Sequence, residues 1–229
     1  MRVAFFGGSF DPPHRGHVAV ARAARRALAL DAVLFAPVGS QPLKPEGSSA
    51  SFQDRVEMTR LAIAGEAGFA VSLVDAPEGL GAPNYTADSL GRVQAELPAD
   101  GMLFCLMGAD SFLSLWKWHR AAEIPFLASL VVASRPGLPL EDIRAALPAG
   151  LTVEPSDSSV ELRSYVVTSP ARGTVRLYLL PGLHIEISAS EIREAIRGSA
   201  KPTDLPVGAG AEVLCPAVLE YIRARGLYR

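Results

Sequence analysis

Two histidines three residues apart, His14 and His17, are the residues whose types and spacing most clearly indicate chemistry in this sequence. They follow Gly7 and Gly8, which end an apolar run, and two prolines that restrict the chain. Glycines let backbone N–H groups approach an anion, and residues three apart at a helix start lie on one face. A helix N-terminus adds partial positive charge. Together these features predict a phosphate site that suits a polyphosphate.

Simpler interpretations of the same residues exist. A single histidine near a helix start is usually a surface residue, and glycine pairs commonly form turns. Zinc is the rival ligand for a histidine pair, but no further His, Cys or carboxylate stands at a recognisable ligand spacing. The coincidence of both histidines with a strand–Gly–Gly turn favours the phosphate interpretation over these alternatives.

Hydrophobic periodicity predicts the strands and helices that position this turn. Continuous apolar runs predict strands buried on both faces, and helical patterns alternate with them. This alternation predicts an α/β fold, a Rossmann-like doubly wound and mostly parallel sheet with helices on both faces. The predicted strands are 3–6, 32–38, 69–74, 102–107, 130–133 and 175–180. The predicted helices are 17–30, 51–65, 86–97, 111–124, 139–147, 188–197 and 216–225.

Length and composition predict a single domain over 1–229, with an irregular insertion at 151–172 and a C-terminal helical part at 188–229. The net charge of −2 indicates no nucleic-acid or membrane partner. A bilayer span needs roughly 20 apolar residues, and no stretch reaches that length or forms a signal-peptide core. We therefore expect a cytoplasmic protein whose two cysteines are buried thiols; nothing in the sequence specifies an oligomeric state.

The run GGSFDPPHRGH resembles the GG(T/S)FDPxHxGH signature of the nucleotidyltransferase superfamily, and specifically of bacterial nicotinate mononucleotide adenylyltransferases. Ser9 keeps the hydroxyl of the commoner threonine. Further segments resemble the family's motifs in the same order along nearly the whole chain: NYTADSL at 84–90, GAD at 108–110, KWH at 117–119, SRPG at 134–137, ISASEIR at 187–193 and the GLY tail at 226–228. Leu43 departs from the family, which has histidine there.

The resemblance implies adenylyl transfer from ATP to nicotinate mononucleotide, with deamido-NAD and pyrophosphate as products. It implies His14, His17 and Arg193 as catalytic residues, and Mg²⁺ held by phosphates without protein ligands. The implied ATP-binding residues are Gly7, Gly8, Ser9, Phe10, His14, His17, Asp110, Arg135, Ser188 and Arg193. The implied mononucleotide-binding residues are Lys44, Tyr85, Thr86, Asp110 and Trp118, where the tryptophan stacks on the pyridine ring.

Several of these residues also have purely structural interpretations. Ser188 and Glu191 have capping-box spacing, Thr86 and Asp110 are N-cap candidates, and Trp116 is assigned to packing. A helix start near Thr86 suits a carboxylate, which favours nicotinate over nicotinamide. The functional alternatives are another enzyme with the same HxGH corner, acting on nicotinamide mononucleotide, pantetheine phosphate or cytidylyl substrates, and a non-catalytic nucleotide-binding module.

Overall fold

The computed structural model describes residues 1–42, 47–78, 82–133, 140–160, 162–180, 188–198 and 213–229. Its strands are β1 (Arg2–Gly8), β2 (Ala32–Pro37), β3 (Phe69–Val71), β4 (Met102–Gly108), β5 (Ser129–Ala133), β6 (Thr152–Ser158), β7 (Arg163–Ser169) and β8 (Gly173–Leu180). They form one eight-stranded sheet in the order β3-β2-β1-β4-β5-β8-β7-β6.

The helices alternate with the strands along most of the chain. They are α1 (Arg15–Ala27), α2 (Phe52–Ala62), α3 (Thr86–Glu96), α4 (Ala109–Leu113), α5 (Ile124–Leu127), α6 (Leu140–Ala146), α7 (Ala189–Gly198) and α8 (Pro216–Arg225). The predicted start of α2 is confirmed, since the Asp54 backbone N–H donates to the Ser51 hydroxyl at 3.1 Å.

The centre of the sheet is parallel and buried. β1 pairs with β4, β4 with β5 and β5 with β8, all in parallel. The register places Phe5 beside Cys105, Cys105 beside Leu130 and Leu130 beside Leu177, and all four side chains are buried. Their continuous apolar runs are explained by helices that cover both faces of a parallel sheet. The predicted α/β fold is confirmed.

The expectation that 151–172 is an irregular insertion is wrong, because this segment contains β6 and β7. The two strands pair antiparallel with each other, and β7 pairs antiparallel with β8. Val153 is buried between exposed neighbours, which is the alternation of a half-buried strand. Pro155 is tolerated because β6 lies at the sheet edge and its register shifts there.

The single helix expected at 111–124 is also wrong. The chain forms the short helix α4, a 3₁₀ turn at Leu115–Lys117 and then α5. Arg120 lies between them with φ of +53°, a left-handed conformation that no continuous helix contains. Phe112 and Leu115 are three residues apart and both fully buried, so apolar spacing before the break resembles that of a helix and does not reveal it.

The chain divides into two compact units. The first comprises Met1–Gly7, Val20–Leu34 and Tyr85–His184, and it contains the parallel pairs of β4, β5 and β8. The second comprises Gly8–Ala19, Phe35–Asn84 and Ile185–Arg229. In the second unit α2, α7 and α8 share a buried apolar cluster that includes Met58, Ile192, Leu219 and Tyr228.

Two further expectations concern the membrane and the thiols. None of the helices in the described ranges is long and apolar enough to cross a membrane. Cys105 and Cys215 are both free thiols; Cys105 is buried as predicted, whereas Cys215 is only half-buried.

Candidate functional site

In the turn after β1, the ring of Phe10 packs closely against the backbone of Gly8. Phe10 has φ of +48° and is buried, with its ring centroid 5.0 Å from that of His17 and 5.6 Å from that of Phe35. A Cβ added to Gly8 would lie 3.3 Å from this ring, tighter than ordinary contacts. Glycine at this position therefore lets the backbone and the ring approach each other closely.

His14 and His17 lie together, as their spacing predicts. His14 directly precedes α1, His17 is in its first turn, and the two ring centroids are 3.8 Å apart. The backbone N–H of His14 donates to Nδ1 of His17 at 3.1 Å. Nδ1 of His17 is therefore an acceptor, which places the proton of the neutral ring on Nε2.

Burial keeps both imidazoles neutral. It lowers the pKa of His14 to about 4. Burial is also the main cause that lowers the pKa of His17 well below its usual value, and the neighbouring His14 lowers it further. At neutral pH each ring can thus donate one N–H, and a bound anion would raise these pKa values and favour the cationic form of the rings.

His14 also carries an unsatisfied polar atom. Its Nδ1 is buried and has no hydrogen-bond partner among the described residues. Such groups are rare in folded proteins because an unpaired buried polar atom costs free energy, and they concentrate where a ligand binds. This atom is independent support for a polar ligand at the turn.

Arg193 reaches the same turn from α7. Its Nη1 donates to the backbone carbonyl of Asp11 at 2.7 Å, although the two residues are 182 positions apart. The helix that carries it has the predicted capping box: the backbone N–H of Glu191 donates to the Ser188 hydroxyl at 3.2 Å, and the N–H of Ser188 donates to the Glu191 carboxylate at 2.7 Å. The structure therefore brings Arg193, Ser188 and the histidine turn into one unit.

Two buried residues that the sequence analysis did not single out, Asp11 and Arg55, fix this turn by hydrogen bonds. Asp11 is 3% exposed, and its carboxylate accepts from the backbone N–H groups of Ser49 and Ala50 and from the Tyr228 hydroxyl. Arg55 is 2% exposed and donates to the carbonyls of Ser9 and Val38, both at 2.7 Å. The only sequence signal for Asp11 was its place inside the motif, and Arg55 had none.

The Ser9 side chain is also engaged. Its hydroxyl accepts from the side-chain amide of Gln41 at 2.6 Å. Since a hydroxyl has one proton to donate as well as lone pairs, Ser9 can accept from Gln41 and still donate to an anion. Gln41 lies on the loop that precedes Lys44 and Leu43; both of these residues, and Arg135, lie outside the described residues.

The remaining predicted residues belong to the other unit. Asp110 is exposed in the first turn of α4, and Gly108 rather than Asp110 is the N-cap. Tyr85 is the N-cap of α3, so the N-cap assigned to Thr86 is off by one residue. No side chain caps this helix start. Its terminal N–H groups are therefore not occupied by a capping side chain, as a carboxylate ligand would require.

Residues 118–120 pack near the start of α3. The ring centroids of His119 and Tyr85 are 4.2 Å apart, and Arg120 donates to Asp88 at 2.9 Å and to Glu123 at 2.8 Å. These contacts place the half-buried Trp118 beside residues that adjoin Tyr85 and Thr86. His119 was not singled out from the sequence; its position directly after Trp118 was the available signal.

Trp116 does not have the packing role assigned to it. Its side chain is 56% exposed, and the Lys117 ammonium lies 4.9 Å from its ring centroid. Trp116 belongs to the 3₁₀ turn, which buries Leu115 instead. The two nearby tryptophans therefore have different environments, because only Trp118 is half-buried.

The donor set of the histidine turn suits an anion. It holds two imidazoles and the Arg193 guanidinium as donors, and the Asp11 carboxylate already accepts three hydrogen bonds. Within the described ranges, no group of three or more His, Cys, Asp or Glu is placed to hold a metal ion. Phosphate oxygens are the kind of acceptor that imidazole and guanidinium N–H groups bind.

A comparison with family models matches residues 5–195 of the chain to the cytidylyltransferase-like family. Similar chains occur in several bacteria. One from Solibacter usitatus is 37% identical over the full length of both chains, and one from Chromobacterium violaceum is 38% identical over 100% of this chain and 99% of its own. Both are described as "probable nicotinate-nucleotide adenylyltransferase".

A solved structure with a similar fold is the nicotinic acid mononucleotide adenylyltransferase of Plasmodium falciparum complexed with NaAD. It has a TM-score of 0.68 and 17% sequence identity, and the match covers 99% of this chain and 97% of that chain. The same enzyme complexed with APC matches with a TM-score of 0.67 at 16% identity. At these identities the match supports the fold.

Proposed function

The chain belongs to the cytidylyltransferase-like family, and from this premise we propose that it transfers the adenylyl group of ATP to nicotinate mononucleotide in NAD biosynthesis. The products are deamido-NAD and pyrophosphate. The observation that carries the proposal is the paired His14 and His17 rings on a glycine turn that Arg193 also reaches. Relatives of 37–38% identity that carry this activity in their names support the choice of substrates.

We assign the ATP phosphates to the histidine turn. Backbone N–H groups of 7–10 would face the phosphates, with Nε2–H of His17 and the His14 ring as side-chain donors. Arg193 would hold the β- and γ-phosphates, supported by the exposed Ser188 at the start of α7. Arg135 is included from the family resemblance alone. These donors act where charge develops as pyrophosphate leaves, which is where hydrogen bonds accelerate a reaction most.

The proposed reaction is an in-line displacement. A phosphate oxygen of the mononucleotide bonds to the α-phosphorus of ATP while the bond from that phosphorus to the bridging oxygen of pyrophosphate breaks. The attacking phosphate is already anionic, so no general base is required. Positioning of two nucleotides and stabilisation of charge are the tasks left to the protein.

We propose that ATP enters as its Mg²⁺ complex. The ion would be carried by phosphate oxygens, because the turn presents N–H donors and its Asp11 carboxylate is already hydrogen-bonded. Mg²⁺ supplies positive charge that neutralises the phosphates. The residues of this chain then orient the phosphate chain and donate to its leaving end.

We assign the mononucleotide to a second group of residues. Trp118 would stack on the pyridine ring, Asp110 would accept from ribose hydroxyls, and the start of α3 at Tyr85 and Thr86 would receive the nicotinate carboxylate. Lys44 is included from the family resemblance. The missing side-chain cap of α3 supports the carboxylate assignment, because its terminal N–H groups need acceptors.

A comparison of two acceptors tests the proposal. Nicotinate and nicotinamide mononucleotides share ribose and phosphate and differ only in carboxylate against carboxamide. A hydrogen bond to a charged group contributes about 1.5–3 kcal/mol, so we expect the acid to be preferred at least roughly tenfold in kcat/KM. The measurement is pyrophosphate release with ATP and each acceptor in parallel, with pantetheine phosphate as a third acceptor.

The nicotinamide, pantetheine-phosphate and non-catalytic alternatives each have their own outcome in this assay. Equal use of the two mononucleotides, or preference for the amide, contradicts the carboxylate site at α3. Turnover with pantetheine phosphate assigns a different acceptor, and ATP binding without pyrophosphate release with any acceptor identifies a non-catalytic module.

We further propose that 1–229 acts as one nucleotidyltransferase domain in the cytoplasm.

A further inference from the structure

Tyr228 joins the last turn of the chain to the phosphate turn. Its hydroxyl donates to Oδ1 of Asp11 at 2.7 Å, across 217 positions of sequence, and both side chains are buried. Asp11 stands between Ser9 and His14, inside the segment to which the ATP phosphates are assigned. A residue far away in sequence therefore contacts the centre of the proposed phosphate site.

The Asp11 carboxylate collects donors from two separate segments. Oδ2 accepts from the backbone N–H of Ser49 at 2.6 Å, and Oδ1 accepts from that of Ala50 at 3.1 Å as well as from Tyr228. A carboxylate is an acceptor only, so these three donors fix its position. Its main chain then has little freedom to move.

That main chain is the part that matters for the phosphates. The Asp11 carbonyl accepts from Nη1 of Arg193 at 2.7 Å, and the preceding Ser9 carbonyl accepts from Nη1 of the buried Arg55 at 2.7 Å. The position of Asp11 therefore sets where the Arg193 guanidinium lies relative to the turn. Small displacements of such a group are costly because the reacting atoms must be closely aligned.

The Tyr228 hydroxyl remains protonated and so remains a hydrogen-bond donor. Burial, and then the charge of Asp11, raise the pKa of its hydroxyl above the ordinary value, so it stays protonated throughout the range of enzyme assays. Its backbone is left-handed, with φ of +65°, and follows Gly226 at +61°, which ends α8. Its ring belongs to the buried cluster that also contains Ile192 and Ile196 of α7, the helix of Arg193.

We infer that Tyr228 is a positioning residue for adenylyl transfer, which acts through Asp11 to hold the phosphate turn and Arg193 in register. The inference rests on the proposed function. It assigns the last turn of the chain a role in catalysis without any contact between Tyr228 and substrate.

The chain offers a matched control in Tyr221. This tyrosine lies on α8, and its hydroxyl also donates to a buried carboxylate, Oδ1 of Asp54, at 2.9 Å. Asp54 belongs to α2 and not to the phosphate turn. Tyr221→Phe and Tyr228→Phe thus remove the same kind of bond, and only the second bond reaches the turn.

The experiment measures kcat, KM for ATP and KM for nicotinate mononucleotide in both variants, with circular dichroism and urea unfolding as checks of folding. Because displacement of catalytic groups lowers the rate of the chemical step, we expect Tyr228→Phe to lower kcat about tenfold and to leave KM for the mononucleotide within about twofold. Tyr221→Phe should keep kcat within about twofold of the parent at a similar loss of stability.

A double-mutant cycle with Arg193→Ala distinguishes positioning from general destabilisation. If Tyr228 acts through Asp11 on Arg193, Tyr228→Phe should lower kcat less than about threefold in the Arg193→Ala background, because coupled residues are non-additive. Full additivity would overturn the inference. So would equal kcat in Tyr228→Phe, Tyr221→Phe and the parent enzyme.

Asp11→Asn provides a second route if Tyr228→Phe does not fold. An amide has only one oxygen, so its N–H₂ group faces at least one of the three donors from which the carboxylate accepts, and that hydrogen bond is lost. We therefore expect the same loss of kcat with unchanged KM for the mononucleotide. A folded Asp11→Asn chain with the parent's kcat would overturn the inference. Failure of the parent enzyme to release pyrophosphate would instead refute the proposed function.

Discussion

The phosphate turn and the proposed mononucleotide residues differ in how the protein holds them. At the turn, Asp11, Arg55 and His14 are each no more than 7% exposed, and donors from distant segments fix Asp11 and the backbone of the turn. Among the proposed mononucleotide residues, Asp110 is exposed in the first turn of α4, and near the start of α3 the ion pair of Arg120 with Asp88 has side chains 40% and 42% exposed.

The difference indicates a division of labour. Buried hydrogen bonds from several segments fix Asp11 and the backbone of the turn, and rigidly held donors are what transition-state stabilisation requires. Exposed ion pairs contribute roughly 0–1 kcal/mol, so they order a surface without fixing it tightly. We therefore expect changes at the turn to act on kcat and on folding at low pH, and changes near α3 to act on KM for the acceptor.

The largest expected effect is on turnover at the turn. His17→Ala and His14→Ala each remove one imidazole donor, and loss of a single donor of this kind typically lowers kcat by roughly 10²–10³. The measurement is steady-state pyrophosphate release, with circular dichroism to confirm folding. Arg25→Ala, an exposed residue in the last turn of the same helix α1, is the control and should keep the parent's rate. Folded histidine variants with near-normal kcat would show that the turn is not the phosphate site.

The next effect is on stability at acid pH. In an unfolded chain histidine titrates near pH 6.5, whereas burial lowers the pKa of His14 to about 4 in the folded protein. The unfolded state therefore binds more protons between these values, and stability is full above pH 6.5 and falls as the pH drops towards 4. The loss from His14 alone is on the order of 3 kcal/mol.

Urea unfolding of the ligand-free protein at pH 7 and at pH 4.5 measures this loss. His14→Gln removes one of the two buried imidazoles and should reduce the loss of stability in this window, while the buried His17 still contributes to it. If the parent and His14→Gln lose the same stability between the two pH values, the burial of a neutral His14 is not the source, and the contrast between the two regions loses its electrostatic basis.

The smallest expected effect is on acceptor binding. Trp118→Ala should raise KM for the mononucleotide about tenfold and leave KM for ATP nearly unchanged, because stacking of a base on an aromatic side chain contributes about 1–3 kcal/mol to binding. Trp116→Ala is the matched control, since its side chain is 56% exposed. Equal changes in both KM values would reassign Trp118 to packing.

Sequence-based prediction succeeded where the cause is local. The strands with continuous apolar runs and the helices α1, α2, α3 and α8 lie within a few residues of their predicted ranges, because periodicity and turn chemistry act over neighbouring residues. Prediction failed at 111–124, where a left-handed Arg120 interrupts the helix, and at 151–172, where serine and proline concealed the antiparallel strands β6 and β7.

The sequence by itself determined the parallel α/β architecture, the glycine turn and the placement of His14 and His17 on one face, since all three follow from short-range spacing. Only the tertiary structure decided which distant residues hold that turn. The bond from Tyr228 to Asp11 spans 217 positions and that from Arg193 to Asp11 spans 182. In most folded proteins Asp and Arg are exposed and Tyr is intermediate, so their residue types alone do not predict that these three side chains lose solvent exposure on folding. Once buried they must be paired, and the identity of each partner depends on which segments the fold brings together.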